Sequence, residues 1–110
     1  MSRVFYDRFI VFEEVEQEMD KLGLDTEERH ELEKLIDELV HFRVVDRILT
    51  RLPRNFHAEF LDKFHKAPWD EDLLAYLDER VEESVEKHVK DEVSKLKKEI
   101  LADLKSRKKD

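Results

Sequence analysis

The sequence predicts an all-α fold: a small bundle of about four helices with a long, projecting C-terminal helix. Three observations point there. The 110 residues include one Gly and two Pro, so few positions force a helix to stop. Charged residues make up 45% and hydrophobic ones 40%, the Leu-, Glu- and Lys-rich mixture of helical bundles rather than of disordered chains. Apolar residues recur at ~3.6-residue spacing through most of the chain. Helix is therefore expected over at least about two thirds of the residues, with no sheet.

Length favours a single domain over residues 1–110, and a chain of this size buries an ordinary core without staples. A Phe-rich N-terminal helix is expected over residues 1–22. Phe5, Phe9, Phe12, Val15, Met19 and Leu22 share one face, and Gly23 stands where a helix ends on a left-handed residue. Residues 25–69 form a two-helix body. Asp25 and Glu28 have the spacing of a capping box, and Pro53 stops the helix they open. Placed at ~100° per residue, Leu32, Leu35, Ile36 and Leu39 cluster on one side of that helix. His41, Val44, Val45, Ile48, Leu49 and Leu52 cluster on nearly the opposite side. The helix should therefore bend, break or be sandwiched between different neighbours near His41 to Arg43. A short helix follows, with Phe56, Phe60 and Phe64 at every fourth position. Trp69 and Leu74 then have hydrophobic-staple spacing around Asp70, which predicts a buried Trp69 and a capped last helix.

That last helix is expected to run unbroken over residues 70–105. At 1.5 Å per residue it would span ~52 Å, against ~39 Å for the preceding long helix. Its distal part would then project, carrying a seam of Val85, Val89, Val93, Leu96, Ile100 and Leu104. The steps along the seam average about 3.8 residues, which favours right-handed supercoiling. The expected use of the seam is self-pairing into a dimer.

Composition narrows the chemistry. With no Cys, thiolate catalysis and cysteine-based metal centres are excluded. The net charge is −8, which argues against nucleic acid as the main partner. The charge is uneven: residues 87–110 carry nine Lys/Arg against five Asp/Glu, while the rest of the chain is strongly acidic. No apolar run is long enough to span a membrane, and no signal-peptide pattern is present, so the cytoplasm is the expected location.

Few residues offer reactivity. Glu27-x-x-His30 and Glu38-x-x-His41 match the Glu-x-x-His element of di-metal bundles, but both lie on one helix. His57-x-Glu59 lacks the cysteine half of a deaminase signature, and His30-Glu31 lacks the second His of a zincin. Ser84 and Ser94 have no nucleophile elbow. No motif calls for a cofactor. Arg43, Arg47 and Arg51 form a stripe with Arg54 near, read as a solvated face or one paired with the acidic body. The basic tail, Lys105, Arg107, Lys108 and Lys109, offers an anionic surface contact. The leading expectation is a non-enzymatic interaction or oligomerisation module. The alternatives are a Glu/His metal-binding bundle or a binder of anionic surfaces through the tail.

A longer pattern adds a resemblance. It begins with Leu22-Gly23-Leu24-Asp25 and continues through Ile48-Leu49-Thr50-Arg51-Leu52-Pro53, Glu59-Phe60-Leu61 and Leu73-Leu74-Ala75-Tyr76-Leu77. It ends with Glu92-Val93-Ser94-Lys95-Leu96-Lys97-Lys98-Glu99-Ile100-Leu101. Over roughly three quarters of the chain this resembles a family of small helical domains of unknown function from uncultivated candidate-phylum bacteria. The resemblance implies an all-helical fold and a binding role without a known activity.

Overall fold

The computed structural model describes residues 4–107. Helix, with 3-10 turns included, takes 77% of them, which exceeds the two thirds expected. No strand is present among the described residues.

The first segment departs from the expected continuous helix. The Val4 N–H donates to Asp7 Oδ2 at 3.0 Å, a local side-chain bond that competes with helix formation. A 3-10 turn at Asp7–Phe9 follows, then extended backbone at Ile10, and only then α1, Glu13–Asp20. The detour has a packing reason. Phe5 and Tyr6 are buried against a different part of the molecule from Val15 and Met19 of α1, and one straight helix could not reach both. Residues 1–3 of the expected helix lie outside the described residues. After α1 the chain turns at Gly23, whose φ of +66° is the left-handed value the sequence called for.

The second helix, α2, spans Thr26–Arg51 without interruption. Its capping box is complete: the Glu28 N–H donates to Asp25 Oδ1 at 2.8 Å and the Asp25 N–H to Glu28 Oε1 at 3.2 Å. Near residues 41–43 the helix is sandwiched. His41 stacks on Phe64 and shares a hydrogen bond with the Tyr6 hydroxyl on one side. Arg43 reaches Glu92 and Glu99 on the other. A 3-10 turn at Arg54–Phe56 leads into α3, His57–Lys66. There His57 Nε2 donates to the Leu52 carbonyl at 2.7 Å and so closes the end of α2.

Trp69 is not buried: 60% of its surface is exposed. The N-terminal segment has taken the position expected of it. The Phe5 N–H donates to the Pro68 carbonyl at 2.8 Å. The Phe5 ring meets Phe60 and Phe64 edge-on, with centroids 6.4 and 5.8 Å away. Asp70 still accepts the Asp72 N–H at 2.9 Å, but the helix begins two residues later.

The expected unbroken helix over 70–105 is two helices, α4 (Asp72–Asp78) and α5 (Val85–Arg107). Side chains make the break without Pro or Gly. Ser84 Oγ accepts the Lys87 N–H at 3.2 Å, and Asp78 Oδ1 accepts the Val85 N–H at 2.8 Å. Together they cap α5. Glu83 takes up the reversal with φ +64°. Leu77, Val81 and Val85 are buried around the turn. The Arg80 guanidinium sits 4.0 Å over the Tyr76 ring and 5.1 Å over that of Phe56.

Shortened to ~35 Å, α5 no longer outreaches α2. It runs antiparallel to α2, since Arg43 pairs with Glu99 and Arg47 with Asp91. The N-terminal segment advances along α5, with Phe9 beneath Lys90 and Glu14 beside Lys97. The core lies between these layers, with α3 and α4 closing one end.

Candidate interaction groove

The expected self-pairing seam is spoken for within the chain. Val85, Val89, Val93, Leu96, Ile100 and Leu104 are all buried, none more than 8% exposed. They pack against α1 and α2 rather than project into solvent. Side chains buried in this way do not form an open pairing seam.

The structure leaves a different apolar surface uncovered. On the first half of α2, only Leu32 and Ile36 lean towards α5 and are half-buried. Leu35, Leu39 and Phe42 are 61%, 39% and 66% exposed. They step by four and three residues, which puts them on one stripe of the helix. Beside the stripe, α2 and the C-terminal part of α5 form a cleft of about 240 Å³. Leu32, Leu35, Ile36 and Leu39 line one wall. Leu96, Ile100 and Leu104 line the other, so half of the expected seam forms part of this cleft.

Among the described residues no lysine or arginine lines the cleft; its charged lining residues are Glu99 and Asp103. The Arg43 guanidinium donates to Glu99 Oε1 at 2.7 Å, and hydrogen bonds to Glu99 and then Glu92 push its pKa above the ordinary value. On the outer side of the stripe Glu31 and Glu38 are exposed, and Asp46 continues the stripe beyond Phe42. The basic residue nearest them on this helix, Lys34, points further round.

The arginine stripe divides. Arg51 and Arg54 are exposed, whereas Arg43 and Arg47 lie at the α2–α5 contact. Arg47 Nη1 donates to Glu92 at 3.2 Å, and Nη2 to His88 Nδ1 at 3.3 Å. His88, 5% exposed, donates its Nε2 proton to the Glu82 carbonyl at 2.9 Å. This seam joins the helices.

The other sequence candidates stay apart. His30 and Glu27 are exposed on the first turns of α2, and His41 is occupied by Tyr6. Among the described residues, no group of three or more His, Asp or Glu comes together to hold a metal ion. Lys105 is exposed, while Lys108 and Lys109 of the basic tail lie outside the described residues. No helix among the described residues is long and apolar enough to cross a membrane. A second, more polar hollow is bounded by Val4, Phe5, Arg8, Trp69 and Glu71, with Arg8 and Glu71 3.5 Å apart. Compared with known protein families, curated proteins and solved structures, the chain matches none.

Leu35 and Leu39 of the exposed stripe belong to the apolar face that the sequence places on the first half of α2, whereas Phe42 belongs to neither of its two apolar clusters.

Proposed function

We propose that this chain is a non-enzymatic interaction module that receives an apolar helical segment of a protein partner between α2 and α5. The observation that supports this is the alignment of Leu35, Leu39 and Phe42, exposed, beside an apolar cleft. Fully covering an exposed side chain of this size is worth ~1.5–3 kcal/mol, and these three, already partly covered, leave a fraction of that to be gained on binding. Helix-in-groove recognition uses anchors with this spacing. A cleft of about 240 Å³ is small beside the ~300–1,000 Å³ of sites that enclose drug-sized ligands. It suits inserted side chains better.

Peptide selection from a random display library tests the reading. Selected helical peptides are expected to compete with one another and to lose binding when Leu35→Ser and Leu39→Ser are combined. Both positions are exposed, so the double variant should keep its circular dichroism. Selected peptides that bind the double variant as well as the parent would move the site away from the groove.

A further inference from the structure

Resting on the groove reading, we infer that the occupant is a cationic amphipathic helix, with aliphatic or aromatic anchors flanked by Lys and Arg, rather than a second copy of this chain. The argument is charge complementarity. The apolar stripe is bordered on its outer side by the exposed Glu31 and Glu38 and at one end by the exposed Asp46. Arg43, which reaches Glu99 of the cleft wall, already shares hydrogen bonds with Glu92 and Glu99. A basic helix lying on Leu35, Leu39 and Phe42 would bring its flanking cations against these carboxylates.

A second copy meets the opposite situation. Two α2 helices packed antiparallel about Leu39 would set Leu35 against Phe42 of the other copy, which suits the apolar surfaces. The same arrangement brings the borders of the two stripes together, and those borders carry Glu31, Glu38 and Asp46 in both copies. Like charges facing across an interface select against that pairing. An anionic membrane surface is disfavoured for the same reason.

Two designed helical peptides with the same apolar anchors at i, i+4 and i+7 serve as probes, one flanked by Lys and one by Glu. Binding to the full chain is followed by fluorescence anisotropy at low and high salt. The Lys peptide is expected to bind at least ~10-fold more tightly at low salt, with the gap narrowing as salt screens it. Charge reversal by Glu31→Lys with Glu38→Lys, both at exposed positions, should shrink or invert the preference while circular dichroism is kept. If both peptides bind equally and Leu35→Ser with Leu39→Ser abolishes both, the groove reading stands and the cationic occupant is refuted. If neither peptide binds, both fall. Sedimentation that shows a dimer of the parent chain, lost in the Leu35→Ser, Leu39→Ser variant, would replace the cationic helix by a second copy.

Discussion

Arg47 donates a hydrogen bond to Nδ1 of His88 and thereby decides which nitrogen of that buried ring carries its own hydrogen. Because Nδ1 must accept, Nε2 is the protonated nitrogen, and it donates to the Glu82 carbonyl at the turn before α5. One arginine on α2 thus reaches through a histidine to the backbone that begins the opposite helix.

Truncating that arginine should be costly. Side chains of Arg47 and Glu92 are each 13% exposed, so water cannot readily replace the lost partner. Arg47→Ala is expected to destabilise the fold by about 2–3 kcal/mol in urea unfolding. Arg47 Nε is buried without a hydrogen-bond partner, so the pair is not ideal as built. Arg47→Leu combined with Glu92→Leu should therefore cost less than Arg47→Ala alone. A double variant weaker than the single one would show that the ion pair contributes more than its desolvation costs.

Both tyrosines resist ionisation. Burial, then the hydrogen bond to Glu59 at 2.6 Å, pushes Tyr76 up to about 12. Burial, with Asp7 and Asp37 adding to it, raises Tyr6 still further. A phenol whose folded pKa is raised contributes stability that is complete below the unfolded value near 10 and is lost as pH rises towards the folded one. In an alkaline titration, phenolate absorbance should stay low through the ordinary tyrosine range and appear together with loss of helical circular dichroism. Titration of either tyrosine near 10 with the helix intact would contradict the burial.

Trp69 and Phe60 should behave oppositely on truncation. Phe60 is fully buried, and Phe60→Ala is expected to cost about 3–5 kcal/mol. Trp69→Ala, at an exposed position, should cost under about 1 kcal/mol. The fluorescence maximum of this lone tryptophan should be that of an indole in water. A blue-shifted maximum would return Trp69 to the interior.

Two left-handed residues give a matched pair. At Gly23 an added Cβ meets nothing within 4 Å, so Gly23→Ala should cost only the conformational penalty, about 1 kcal/mol. At Glu83, where φ is also positive, Glu83→Gly removes that penalty and should raise the melting temperature despite loss of the exposed contact to Lys87. Opposite signs in thermal melts confirm both conformations.

Features decided within a few residues were legible in the sequence. The Asp25–Glu28 box, the Gly23 turn, the stop at Pro53 and the Phe60/Phe64 face are all local. What escaped depended on distant partners. Trp69 is exposed while Phe5 packs on Phe60 and Phe64, a contact no spacing rule encodes. The break before Val85 rests on Asp78 and Ser84, ordinary residues in a helix until one of them caps the next. That break also decided the candidate site. By shortening α5 it let α1 and α2 bury Val89, Val93 and Leu96, and it left Leu35 and Leu39 as the uncovered face.

The antiparallel contact between α2 and α5 also sets the order of assembly. Tyr6 and His41 are 35 residues apart, and Arg43 and Glu99 are 56 apart. Such non-local closure slows folding relative to bundles built from neighbouring helices. Until α5 docks, Val40, Val44 and Ile48 have no α5 to cover them, and the nascent chain shows an apolar ladder along the whole of α2. Folding on the ribosome should therefore wait until α5 has cleared the exit tunnel.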